Sequence, residues 1–162
     1  MVKLYIADNQ ENYFKLIDYL KKVTSKPYYV GDSIHPLSVM QLVLDWVEKS
    51  KTEEEPIVIC TNNIYVVTTI SNCLYAGEVN RLNPNLDVNS ILPSKNWLTK
   101  DTLLYKAMTN DGLIDGYEKE NNEDEVQCID TSILDRVSSV LNQQFDEIMT
   151  MKINFDLEKN TK

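Results

Sequence analysis

The chain has 162 residues, of which 25 are acidic and 16 basic, giving a net charge of −9 at a hydrophobic content of 43%. That length suits one domain with a sizeable core, and residues 1–157 are expected to form it, with 158–162 a charged, frayed tail. An acidic chain repels phosphate backbones, so direct nucleic-acid binding is not expected; no apolar run reaches the length of a membrane span, so no membrane partner is expected either.

Two further features concern location. The three cysteines, Cys60, Cys73 and Cys128, are odd in number and form no C-x-x-C pair, which suits a reducing cytoplasm better than a disulfide framework. Near the N-terminus, Asp8, Asn9, Gln10 and Glu11 interrupt any apolar signal segment.

In chain order, Val2 to Ile6 reads as a short strand. Asp8 or Asn9 can cap the helix that follows, roughly Glu11 to Val23, with Tyr13, Phe14, Ile17, Leu20 and, at its end, Val23 along its apolar side. Lys26-Pro27 breaks it, and Tyr28 to Val30 is a second strand ending in the turn Gly31-Asp32-Ser33. A second helix begins at Pro36, whose fixed φ suits a first helical position, and runs through Leu37, Met40, Val43, Leu44 and Val47. After the polar run Lys49 to Glu55 comes Ile57-Val58-Ile59-Cys60, short and β-branched as a strand buried on both faces should be. Thr61-Asn62-Asn63 form a polar loop, and Val66, Val67, Ile70, Leu74 and Tyr75 mark a third helix that Gly77 is expected to stop.

Beyond it, Arg81 to Lys100 holds Pro84, Pro93 and several asparagines and reads as an extended loop. Asp101 to Met108 is a strand, Asn110-Asp111-Gly112 a strong hairpin turn, and Leu113 to Tyr117 the returning strand. Glu118 to Glu125 is an acidic loop. Asp130 is placed to cap a last amphipathic helix, roughly Ser132 to Met149. The alternation of strand and helix predicts an α/β fold with a mostly parallel central sheet flanked by helices. Ile57 to Cys60 should lie at its centre, between the strands starting at Val2 and Tyr28.

Ligands of such sheets bind beyond the carboxyl ends of the strands. Four residues fall there: Asp8, Asp32, Asn62 and Asn63. Each also has an ordinary local role, since Asp and Asn cap helices and make turns, and that role carries the greater weight for all four. His35 is the only histidine, so no cluster of histidines can hold a metal, and a role at the helix entry is expected for it. Cys60 and Cys73 sit in apolar runs and read as packing residues. Tyr28-Tyr29 reads as core or interface, because no basic residues interleave with it to make a base-stacking platform.

Several segments carry a resemblance. Cys60-Thr61-Asn62-Asn63-Ile64-Tyr65, followed by Ser71-Asn72-Cys73-Leu74-Tyr75-Ala76-Gly77-Glu78-Val79, is similar to the switch-histidine region of ABC-type predicted ATPase heads related to the RecF, SMC and OLD proteins. Asn110-Asp111-Gly112-Leu113-Ile114 and Phe145-Asp146-Glu147-Ile148-Met149 resemble that family's later D-G-L-I turn and closing helix. The likeness covers roughly Ile34 to Met151 and implies a P-loop-NTPase-like half domain, the C-terminal lobe of a head.

The catalytic parts of such a head do not follow. Asn62 stands at the histidine position and Ile64 at the proline position. With four glycines in the chain, no G-x-x-x-x-G-K-[ST] phosphate loop exists, and the partner-reading signature loop is missing. The acidic strand that would hold Mg²⁺ matches either Leu4 to Asn9, keeping Asp8, or Tyr28 to Pro36, keeping Asp32. The spacing to Thr61 favours the second, and in either case one acid of the pair is gone.

The resemblance therefore implies a non-catalytic binding or regulatory module with no cofactor, no bound metal and no ATP, acting through a protein partner or as a homodimer. The first helix would cover the sheet face that a head's missing lobe would otherwise bury. The alternative is a small enzyme of unknown type using the strand-end Asp and Asn residues; two converging carboxylates or a metal in a cleft would mark it.

Overall fold

A computed structural model of the chain describes residues 1–24, 26–30, 34–117, 128–130 and 134. Among the described residues five strands form one sheet: β1 (Val2–Ala7), β2 (Tyr28–Val30), β3 (Ile57–Thr61), β4 (Leu103–Thr109) and β5 (Gly112–Asp115). Their order is β2-β3-β1-β4-β5. The first four are parallel, with Leu4 beside Ile59 and Tyr105, and Tyr29 beside Cys60. Only β5 runs antiparallel, returning from β4 through the two-residue loop Asn110-Asp111. Gly112 follows that loop at φ 105°, a conformation an L side chain resists.

Three helices connect the parallel strands: α1 (Gln10–Val23), α2 (Pro36–Lys49) and α3 (Ile64–Leu82). They divide between the faces of the sheet. Leu16 and Leu20 of α1 pack with Tyr5, Ala7, Val58 and Cys60 on one face. Val39, Val43 and Trp46 of α2 and Val66, Ile70 and Leu74 of α3 pack with Leu4, Ile6, Ile57 and Ile59 on the other. Alternation along each strand sends successive side chains to opposite helices, and with both faces covered the strands are apolar throughout: all five residues of β3 are buried. β3 lies between β1 and β2 as expected, but the centre of the sheet is β1, because β4 and β5 add on its other side and leave β3 next to the edge strand β2.

The helix faces differ from the expected stripes. On α1 the buried residues are Asn12, Leu16 and Leu20, while Phe14 is 57% exposed. On α2 they are Val39, Val43, Trp46 and Val47; Leu37 is 65% exposed, and Met40 is exposed too. Leu20, Val43 and Val47 are buried as expected, but Asn12, Leu16, Val39 and Trp46 face the sheet where Tyr13, Phe14, Leu37 and Met40 were expected to. Tyr75 of α3 is exposed as well.

Gly77 does not end α3, which continues to Leu82. The loop residue Leu98 docks on it instead: a Cβ at Gly77 would lie 1.8 Å from the Leu98 carbonyl oxygen. Glycine is there for close approach within a helix rather than to cap one. Beside it, the fully buried Glu78 fixes the same loop, accepting from the Lys100 backbone N–H at 3.0 Å and from the Arg81 guanidinium at 2.8 Å. The segment read as extended between Arg81 and Lys100 thus packs against α3 and contains two short 3-10 turns, Val88–Ser90 and Ser94–Asn96. β4 starts two residues later than expected, at Leu103. The expected helix over 132–149, the acidic loop and the tail at 158–162 lie outside the described residues.

Candidate functional site

In this sheet the chain leaves β1 towards one face, through α1, and leaves the adjacent β3 towards the other, through α3. Neighbouring strands whose connections diverge in this way open a crevice between their carboxyl ends, which is where α/β sheets take their ligands. Asp8 from β1, Asn62 and Asn63 from β3, and Asn110 after β4 meet around it.

The crevice is filled by the chain's own side chains. Asn62 reaches across it, its Oδ1 accepting from the Ala7 backbone N–H at 3.0 Å. Asp8 is half-buried, and its Oδ1 accepts from Asn9 Nδ2 at 2.9 Å and from Asn12 Nδ2 at 2.7 Å. The fully buried Asn12 is the hub: its Nδ2 also donates to Asn110 Oδ1 at 3.0 Å, and its Oδ1 accepts from Lys15 Nζ at 3.2 Å. Lys15 pairs with Glu11 at 2.8 Å, and that hydrogen bond holds the exposed Glu11 carboxyl below its ordinary range. A buried carboxamide satisfied on both its oxygen and its nitrogen fixes the geometry around it.

The remaining residues read as candidates have local work. Asn63 caps α3, accepting from Tyr65 N–H at 2.9 Å, and its own N–H donates to Thr61 Oγ1. Thr61 is the last residue of β3 rather than loop, and its hydroxyl donates to Val30 O at 2.9 Å, joining β3 to β2. Asn9, not Asp8, caps α1. His35 sits at the entry of α2 as expected, but exposed, with Nδ1 accepting from Leu37 N–H at 3.3 Å, so it caps rather than packs. Tyr28 lies against Trp46 with ring centroids 4.7 Å apart. Asp32 lies outside the described residues.

Asn12 and Asn110 were not singled out from the sequence. Asn12 carries a legible signal: it stands four residues before Leu16 and eight before Leu20, on the buried stripe of α1, where an asparagine must find partners.

Chemically the arrangement offers little to a reaction. Asp8 is the one carboxylate at the described part of the crevice, and among the described residues no three His, Cys, Asp or Glu side chains come together to hold a metal. Nor are the buried cysteines poised as nucleophiles. Burial pushes the thiols of Cys60 and Cys73 up to about 12, so neither forms the reactive thiolate at neutral pH. Among the described residues no helix is long and apolar enough to cross a membrane.

A second feature lies on the outer side of α3. Tyr75, Ala76 and Val79 form one wall of a groove of about 650 Å³, and Leu86, Val88 and Ile91 from the following segment form the other. Ile91 is 87% exposed at its rim. Comparison of the chain with family models, with curated proteins and with solved structures found no match in any of the three.

Proposed function

We propose that this protein is a non-catalytic binding module, an α/β scaffold of the ABC-head type that works by contact with protein rather than by turning over nucleotide. One observation carries the reading. The crevice where such a sheet would take a ligand is occupied by Asn62 on the Ala7 amide and by Asn12 between Asp8 and Asn110. A phosphate entering there would have to displace hydrogen bonds that are already made, and it would meet the Asp8 carboxylate. The phosphate loop is missing from the sequence, and a net charge of −9 adds long-range repulsion. Three cysteines, an odd number with no C-x-x-C pair, fit a cytoplasmic setting.

Isothermal calorimetry with Mg-ATP tests this. No saturable heat is expected up to about 1 mM nucleotide, a binding free energy weaker than about −4 kcal/mol, and no phosphate release. Saturable binding that is lost on replacing Asn62 or Asp8 would place a working site in the crevice and overturn the reading.

A further inference from the structure

The three helices differ in how they meet water. α1 carries Glu11, Lys15, Asp18, Lys21 and Lys22 away from the sheet. α3 has Glu78 and Arg81 as its only charged residues, and Glu78 is buried. The outer stripe of α3 reads Ile64, Tyr65, Thr68, Asn72, Tyr75 and Val79, and all but the half-buried Val79 are exposed. A helix face turned to water ordinarily carries charge, yet this stripe carries none and is exposed among the described residues. Its open side continues into the groove and the exposed Leu82, Leu86 and Ile91.

We infer that this face is a homodimer interface, with Ile91 of each copy seated in the groove between α3 and residues 86–92 of the other. Three observations choose a second copy over other occupants. The knob and the hole lie on one patch, the self-complementary arrangement a two-fold contact requires. Residues 61–96 contain two acids, Glu78 and Asp87, and two bases, Arg81 and Lys95, so this region is neutral while the whole chain carries −9. Two equally charged copies can meet there without like-charge repulsion, whereas a cationic partner would call for an acidic rim. Size is consistent as well. The 19-residue α3 is about 28 Å long and, at the width of a helix, offers on the order of 300 Å². A standard interface buries about 800 Å² per partner, so the contact has to include the Leu86–Ile91 shelf.

This deepens the proposed function by naming the partner, and its test uses no nucleotide, so the two can fail separately. Sedimentation velocity of the full chain over a range of concentrations should show a monomer–dimer equilibrium. Ile91→Asp should weaken it at least tenfold, and so should Tyr75→Asp, with circular dichroism unchanged in both, and melting temperature unchanged at concentrations where the wild type is monomeric, because the two side chains face water in the monomer. Phe14→Asp on α1 should leave the dimer intact. A strict monomer at every concentration overturns the inference. So does a dimer that Ile91→Asp and Tyr75→Asp do not touch. A monomer whose melting temperature Ile91→Asp lowers overturns it too, since one of the chain's own remaining segments would then lie on this face.

Discussion

α1 and α3 serve the same sheet from opposite sides and are built differently. α1 is apolar towards Tyr5, Val58 and Cys60, with a single buried polar residue, Asn12, and its outward side carries five charges among the exposed Phe14, Tyr19 and Val23. α3 buries Val66, Ile70, Cys73 and Leu74 inward and keeps an uncharged, largely apolar surface outward. Sheet packing accounts for the inner sides of both. It does not account for the outer side of α3, because exposed helix positions carry no packing constraint and ordinarily hold charge. The contrast teaches that sheet packing dictates only the inner side of a helix, and under the proposed reading the outer side of α3 is the one that meets a partner.

The largest expected effects test whether the two inner sides are equally indispensable. Ile59 lies beneath α2 and α3, and Leu16 belongs to α1; both are fully buried. Replacing either by Asp buries an unpaired charge and should cost more than about 4 kcal/mol, comparable to the whole stability of a domain. Both variants should lack a cooperative melting transition. A folded Leu16→Asp protein beside an unfolded Ile59→Asp protein would make α1 a detachable cover.

Alkaline pH probes the same two sides, with Cys60 beneath α1 and Cys73 on α3. Each thiol moves from an ordinary 9.0 to about 12 on burial. A group whose folded pKa is raised leaves stability intact below its unfolded value. Stability should therefore fall above pH 9, by about 1.4 kcal/mol per pH unit per cysteine. Denaturant titrations at stepped pH should show the fall, and Cys60→Val and Cys73→Val should each remove one share of it. Unequal shares would show which side of the sheet opens first. At neutral pH a thiol reagent should modify the half-buried Cys128 before either.

Gly77→Ala comes next. Its Cβ would meet the Leu98 carbonyl, which cannot retreat freely because Leu98 N–H is bonded to Cys73 O at 2.9 Å. The loss should be about 1–3 kcal/mol by urea unfolding. On α1 the counterpart is Asn12→Leu, which strips hydrogen-bond donors from Asp8 and Asn110 and should cost roughly 1–3 kcal/mol. A neutral Asn12→Leu would show that water replaces the carboxamide and that the crevice is more open than its hydrogen bonds suggest. The smallest effects on stability belong to Phe14→Asp and Ile91→Asp, each within about 0.5 kcal/mol, and the two should differ only in association.

Much of the site was legible before the fold. The strand ends place Asp8, Asn62 and Asn63 together because a parallel sheet gathers the carboxyl ends of its strands on one edge. Capping was legible too, since Asn63 and Asn9 each precede a helix start. The bond from Asn62 to the Ala7 amide was not, because it joins residues 55 positions apart in sequence, across a register that only strand pairing defines. Phe14, Leu37 and Met40 were read as buried from helical spacing and are exposed, while Leu20, Val43 and Val47 on the same stripes are buried; the period was right and its phase only in part, since phase depends on where each helix sits over the sheet.

The amino-acid sequence by itself determined the element order, the burial of β3 between β1 and β2, the hairpin at Asn110-Asp111 and the absence of a phosphate loop. All of these follow from local period, turn chemistry and motif, which act within a few residues. The tertiary structure alone decided that Gly77 continues a helix instead of ending it, that Asn12 joins the β1–α1 loop to the β4–β5 turn, and that the outer stripe of α3 is exposed. Each depends on which distant segment arrives at that place, and the deciding forces are short-range contacts and hydrogen bonds that exist only once the chain has closed on itself.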